Sequence, residues 1–86
     1  MRIFEVHWDD AWVDTKDFAI AEAKEKFKSV KRKTIGYLVD NKNPEGITLA
    51  TDLFDNEKDM MLCAMFIPWG IIREVYELVV VDPDKQ

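Results

Sequence analysis

Three carboxylates, Asp9, Asp10 and Asp14, follow His7 and are the first residues of the chain whose types could do chemistry. Neighbouring carboxylates serve as general acids and bases, or they bind Mg²⁺ and Ca²⁺. A calcium loop needs further oxygen ligands at fixed spacing, and the sequence has no D-x-D-x-D-G pattern. The end of a strand and the cap of a following helix account for all three residues, because aspartate oxygens accept hydrogen bonds from the free N–H groups of a first helical turn. We therefore predict a structural role for them and no bound metal.

A single histidine and a single cysteine restrict the remaining chemistry. One cysteine excludes an internal disulfide and a cysteine-based zinc site, and one histidine excludes a multi-histidine metal site. His7 has beside it no serine or cysteine motif with an orienting partner, which nucleophilic catalysis requires. Cys63 lies in an apolar run, where a free thiol is typically a small buried side chain. We expect a protein that is not an enzyme, with no catalytic residue and no cofactor.

A basic segment between residues 15 and 33 is the candidate nucleic-acid site. It holds seven of the chain's twelve positive charges, although the net charge of the whole chain is −5. The side chains that would contact phosphate are Lys24, Lys28, Lys31, Arg32 and Lys33. Cations near the end of a helix also stabilise it through the helix dipole, and aromatic side chains suited to base stacking do not interleave these lysines. Nucleic-acid binding is therefore the alternative function.

Two of the three tryptophans are candidate contacts for a protein partner. Trp12 lies among polar residues of a predicted loop, and Trp69 lies in a predicted tight turn, so a small core seldom covers both. Exposed tryptophan beside carboxylates is a common composition of protein interfaces. The other interpretation is that Trp12 folds over the mouth of a small barrel and Trp69 packs beneath it. Trp8, in contrast, is assigned to the core.

The elements that position these residues begin with a strand and a helix. Side chains over residues 3–8 alternate with period two, which predicts a strand with Phe4, Val6 and Trp8 facing the core. Residues 16–29 contain neither Gly nor Pro and are rich in helix formers, which predicts a helix. Its apolar stripe, at helical spacing, consists of Ile20, Ala23, Phe27 and Val30.

Four more strands are predicted after the helix, and polar turns separate the first three of them. They cover residues 34–39, 47–53, 60–67 and 71–81. Pro68 and Gly70 break the chain before the last strand, which indicates a tight turn, such as one 3-10 turn. The order is β-α-β-β-β-β, with the last four strands in consecutive hairpins. We predict the α+β class: a small antiparallel five-stranded curled sheet, or a small barrel, carrying one helix, in a single domain over residues 1–86 with a flexible tail at 82–86.

Two resemblances bear on this prediction. Residues 66–72, Phe-Ile-Pro-Trp-Gly-Ile-Ile, resemble the last turn of small barrels of the SH3 and Sm-like kind, although a strand before the helix departs from the Sm-like plan. The chain also resembles short proteins of bacteriophages and prophages. The matching pieces are His7-Trp8-Asp9-Asp10, Gly36-Tyr37-Leu38-Val39, Ile47-Thr48-Leu49-Ala50, Ile67-Pro68 and Glu77-Leu78. This second resemblance implies a bacterial or viral cytoplasmic origin and no known activity.

The apolar run at 60–67 is apolar on both faces and leaves two interpretations open. Buried on both sides, it is a central strand beneath the helix. Exposed on one side, it is an aggregation hazard that self-association would remove, and the valines at 79–81 offer a second strand for a homo-oligomer.

The function predicted first is that of a small non-enzymatic binding protein acting through protein contacts, related to phage or prophage proteins through the resemblance. Its protein partner is not identified by the sequence. No apolar run approaches the roughly 18–20 residues of a membrane span, and the first residues lack a signal-peptide pattern, so we expect a cytoplasmic protein without membrane contact.

Overall fold

The computed structural model describes residues 1–11, 19–21, 24, 28–54, 60–81 and 83. These residues form five β-strands and one 3-10 turn. The strands are β1 (Ile3–Asp10), β2 (Val30–Asp40), β3 (Gly46–Leu53), β4 (Met61–Pro68) and β5 (Ile72–Leu78), and the 3-10 turn, Trp69–Ile71, lies between β4 and β5. The predicted strands and the predicted 3-10 turn are thus confirmed, with shifted boundaries.

The five strands form one antiparallel sheet in the order β4-β3-β2-β1-β5. The pairings of β2 with β3 and of β3 with β4 are as predicted, and β1 pairs with β2, but β5 leaves β4 and pairs with β1 instead. The strand β1 therefore lies between β2 and β5. The prediction that the last four strands form consecutive hairpins is wrong at its final step, because the 3-10 turn carries the chain across to the other edge of the sheet.

The predicted α+β class is wrong, because the architecture that the described residues build is all-β. Most of the predicted helix at 16–29 lies outside those residues. The positions that are described do not supply a helix packed on the sheet: Ile20, expected to face the core, is 77% exposed, and Val30, expected in the same stripe, begins β2. A closed barrel is wrong as well, since β4 and β5 are the two edges of a curled, open sheet.

The core lies on one face of this sheet and is built by alternation. Phe4, Val6 and Trp8 are buried on β1, as predicted, because every second side chain of a strand points to the same face. The other buried large side chains are Ile47, Leu49 and Ile67, with Leu38 and Ile72 packed against them. The buried indole is satisfied, since Trp8 Nε1–H donates to Thr34 Oγ1 at 2.9 Å.

Charged residues lengthen the β1–β2 ladder beyond its predicted ends. Asp9 and Asp10 belong to β1 and pair in register with Lys31 and Val30. Lys31 Nζ lies 3.6 Å from Asp9 Oδ1, and Arg32 Nη1 lies 3.2 Å from Asp10 Oδ2. Because the acids of one strand face the bases of the next, the polar segments continue the sheet. Asp9 and Asp10 are the last two residues of β1, so their predicted position at the end of the strand is confirmed, and Asp14, the predicted helix cap, lies outside the described residues.

The far end of the sheet is held by the residue that follows β4. Trp69 donates its backbone N–H to the carbonyl of Glu45 at 3.2 Å and its indole N–H to the carbonyl of Asn43 at 2.9 Å. Both acceptors lie in the turn between β2 and β3. The 3-10 turn is therefore anchored to that turn at the point where the chain leaves β4.

Candidate functional site

A cluster of polar residues surrounds His7 on the sheet face opposite the core. Its Nε2 lies 2.8 Å from Glu5 Oε2, and its Nδ1 lies 3.9 Å from Glu74 Oε2. The ring is 5.2 Å from that of Tyr76, centroid to centroid, and Lys33 faces His7 in the β2 register. The histidine is therefore partly covered by β5 and held between two carboxylates.

This His7 cluster has an internal electrostatic structure. Tyr76 donates its hydroxyl hydrogen to Glu74, which lowers the pKa of that carboxyl and raises the pKa of Tyr76. The described contacts of His7 are to Glu5, Glu74 and Tyr76, and none of these side chains is a serine or cysteine nucleophile of the kind that histidine activates. Within the described residues no group of three or more His, Cys, Asp or Glu side chains could hold a metal ion. The geometry supports cross-strand pairing of β1 with β5.

A second cross-strand link, between Arg2 and Glu77, has a testable pH dependence. Arg2 Nε and Nη2 donate to the two oxygens of Glu77 at 3.0 and 2.8 Å, and this bidentate pair lowers the pKa of Glu77. A carboxylate with a lowered pKa stabilises the folded state above its unfolded pKa and loses that contribution as the pH falls through the folded pKa. We expect the stability of the wild type to fall more steeply than that of Glu77→Gln between about pH 6 and about pH 3.

Chemical denaturation at several pH values measures this difference. The pair is exposed, so we expect a small effect, and the comparison with Glu77→Gln removes the contributions of the other carboxylates that the two proteins share. Equal pH slopes for the two proteins would contradict the assignment.

The structure places three of the predicted phosphate contacts on a strand, where carboxylates pair with two of them. Lys31, Arg32 and Lys33 lie on β2 and not at the end of a helix. Lys31 and Arg32 form ion pairs with Asp9 and Asp10, and the guanidinium of Arg32 also lies 5.5 Å from the Trp8 ring centroid. Lys24 and Lys28 are exposed and precede β2 in the chain. Carboxylates thus offset part of the positive charge that would attract phosphate.

The two tryptophans of the predicted protein interface differ in what can be said of them. Trp12 lies outside the described residues. Trp69 is 36% exposed, and its indole N–H is engaged by Asn43, so its ring is fixed in place with part of its surface open to solvent. Its role as an interface residue stays a prediction.

The largest group of exposed apolar side chains on one element belongs to β4. We call its exposed large side chains the β4 surface: Met61, Leu62, Met65 and Phe66. Each is more than a third exposed, and Leu62 is the most exposed at 53%. In the described residues β4 pairs only with β3, so the backbone groups on its other side have no strand opposite them. Sequence reasoning left these residues out of the predicted site, although the run of eight apolar residues was the signal.

This geometry excludes one of the two interpretations of that run. A central strand beneath a helix is wrong, because β4 is an edge strand with one buried residue, Ile67. The predicted burial of Cys63 is wrong for the same reason, since the thiol is exposed. Cys63 also has a φ of 56°, in the left-handed region that residues other than glycine seldom adopt. The ladder to β3 continues on both sides of it.

The last predicted strand is shorter than expected. It ends at Leu78, and the valines at 79–81 follow it as exposed, irregular chain. The prediction that these valines form a strand available for self-association is therefore wrong. The predicted tail at 82–86 lies outside the described residues except for Pro83.

Comparison of the chain with known protein families, curated proteins and solved structures found no match. The resemblance to phage and prophage proteins therefore stays a prediction. In the part of the chain that the structure describes, no helix is long and apolar enough to cross a membrane.

Proposed function

We propose that this chain is a non-enzymatic interaction protein that binds a protein partner through the β4 edge of its sheet. The observation that carries the proposal is an eight-residue edge strand without a charged side chain, whose Met, Leu and Phe side chains are exposed. Large apolar side chains exposed together on one element commonly mark interaction sites.

The chemistry of this edge suits recognition of an extended strand. A strand added to an open edge gains main-chain hydrogen bonds, and alternate side chains along the edge supply specificity. Methionine and aromatic residues, which the β4 surface contains, are enriched at protein interfaces. Trp69 follows β4 directly and would extend the same surface. The proposal therefore keeps Trp69 as a contact for the protein partner.

Photo-crosslinking inside the cells from which the gene comes tests the proposal. We compare Phe66→p-benzoylphenylalanine with Tyr76→p-benzoylphenylalanine. Both positions are aromatic, lie on edge strands and are similarly exposed, at 46% and 47%, but they lie on opposite edges of the sheet. We expect a discrete protein adduct from position 66 and none from position 76. Adducts at neither position, or at position 76 alone, would contradict the proposal.

The nucleic-acid alternative has less support, because Asp9 and Asp10 lie against two of the cations on which it depends. A gel mobility shift with single-stranded RNA at low salt separates the two functions. A shift that is lost in the double variant Lys31→Glu/Arg32→Glu would overturn the protein-binding proposal in favour of the alternative.

A further inference from the structure

We propose that the strand which pairs with β4 is β4 of a second copy of this chain, antiparallel to it across a twofold axis. This inference rests on the protein-binding function proposed above and names the partner. Two five-stranded sheets would then join into one continuous sheet of ten strands. Two features of the molecule favour a second copy: the contrast between the two sheet edges and the charge of the chain.

The two edges of the sheet differ in the side chains that discourage strand pairing. Natural sheets protect an exposed edge with charged side chains, which disfavour the approach of another strand. β5 has this protection, since three of its seven residues are Arg73, Glu74 and Glu77, and two of these are held in ion pairs with neighbouring groups. None of the eight residues of β4 is charged. Within one sheet, therefore, only β4 has the composition of an edge that is paired.

The charge of the chain explains why two copies would meet at this strand. With a net charge of −5, two copies repel one another over most of their surfaces. Opposing β4 strands place no like charges face to face. An antiparallel pair of identical strands is also self-complementary, because a contact of residue i with residue j is repeated as j with i. The uncharged edge thus fits its own copy without a partner of different sequence.

Pairing through β4 also stops at two copies. In the joined sheet both outer strands are β5, each with the charged side chains that discourage further pairing. The contact is isologous and closes on itself, so it produces a dimer and not a fibre. Because the pairing ends with the dimer, the open apolar edge of β4 does not lead to unlimited aggregation.

Sedimentation equilibrium of the purified full chain tests the inference. We expect the wild type to have twice the monomer mass of 10.1 kDa at about 100 µM, and we expect Leu62→Lys to raise the dimer dissociation constant at least about tenfold. Ala64→Lys, at the middle of β4, is expected to act in the same direction, because it places like charges near one another across the twofold axis. Far-UV circular dichroism confirms that each variant is folded.

Ile35→Lys is the matched control. Ile35 is as exposed as Leu62, at 53%, and lies on the central strand β2, away from both edges. We expect this variant to remain dimeric. If Ile35→Lys dissociates the dimer as strongly as Leu62→Lys, two sheet faces pack together and the edge pairing is wrong.

Amide hydrogen exchange gives an independent measurement of the edge itself. We expect amides of β4 that point away from β3 to exchange at least about tenfold more slowly in the wild type than in Leu62→Lys, while the outward amides of β5 exchange at the same rate in both. Equal exchange on β4 would overturn the inference.

A wild type that stays monomeric at about 100 µM also overturns it, and the photo-crosslinks then decide what remains. An adduct at position 66 with a protein other than this chain would preserve the proposed function while rejecting self-pairing. No adduct at that position would reject both.

Discussion

Ile47→Ala is expected to lower the free energy of unfolding by about 3 kcal/mol, and Ile35→Ala is expected to lower it by less than about 0.5 kcal/mol. The two changes remove the same atoms from the same residue type. Ile47 is 1% exposed and lies in the core beside Leu49 and Ile67, whereas Ile35 is 53% exposed on the opposite face. The difference between the variants therefore measures how much the packing of one face stabilises the sheet.

The buried isoleucine has a large effect because the core of this protein is small. Only seven apolar residues are buried among those the structure describes. Few neighbouring side chains could therefore move to fill the cavity that a truncated core residue leaves. Removing three carbons at position 47 costs the transfer free energy of those carbons and leaves a cavity between β3 and β4. A loss of this size is a substantial part of the stability of a small domain.

Urea denaturation followed by tryptophan fluorescence measures both values. The two variants and the wild type are compared in the Leu62→Lys background and at one protein concentration, because dimerisation adds a concentration-dependent term to the stability. Losses of similar size at positions 35 and 47 would show that the face carrying Ile35 is buried as well, and would contradict the one-sided core.

Gly46→Ala is expected to lower the free energy of unfolding by about 2 kcal/mol, whereas Gly70→Ala is expected to leave it unchanged or to raise it by about 0.5 kcal/mol. A Cβ at position 46 would lie 2.5 Å from the carbonyl oxygen of Ile67 and 2.6 Å from Cζ of Phe66. A Cβ at position 70 would meet nothing within 4 Å.

The close approach at Gly46 comes from the β3–β4 ladder and not from an unusual backbone. Neither glycine has a positive φ, so an alanine is acceptable to the backbone at both positions. At Gly46 the added carbon must push away a backbone carbonyl, which cannot swing aside as the end of a side chain can. At Gly70 the alanine mainly reduces the conformational freedom of the unfolded chain.

Thermal unfolding of both variants measures these changes, again in the Leu62→Lys background. The shift at Gly46→Ala includes a displaced Phe66 ring, so the variant is also expected to alter the β4 surface. Equal melting temperatures for Gly46→Ala and Gly70→Ala would contradict the tight packing of β4 on β3.

The parts of the fold that follow from short stretches of sequence were predictable. Alternation over β1 identified Phe4, Val6 and Trp8 as core residues, and Pro68 with Gly70 indicated the 3-10 turn before β5. In each case the neighbouring residues in sequence decide the structure, because period-two alternation and turn residues act locally.

The parts that depend on distant contacts were not predictable. Lys31, Arg32 and Lys33 have good helix propensity, yet they belong to β2, where carboxylates at the end of β1 pair with two of them. The partner of β5 is β1, and nothing in either strand's own sequence specifies that choice. Tertiary pairing therefore overrode local preference in both places.

The candidate site was predictable only in outline. The apolar run at 60–67 indicated either a buried central strand or an exposed strand open to self-association, and its position at the sheet edge excludes only the central strand. The position depends on where β5 goes, since a β5 paired with β4 would have covered the edge. Trp69 was predicted as an interface residue from its residue type and its position in a tight turn. Neither of these predicts the hydrogen bond that its indole N–H donates to the carbonyl of Asn43.

The pairing of β1 with β5 determines when the sheet can be completed as the chain is synthesised. Arg2 lies just before that ladder and Glu77 lies within it, and the two are 75 positions apart, so a growing chain presents β1 long before β5 is made. Closing the long loop between β1 and β5 is slow, because the chain loses conformational entropy before the stabilising contacts between the two strands form. Until then the edge of β1 that pairs with β5 has no neighbouring strand and needs shelter from other nascent chains. Completion of the sheet therefore waits until β5, residues 72–78, reaches a strand that was synthesised earlier.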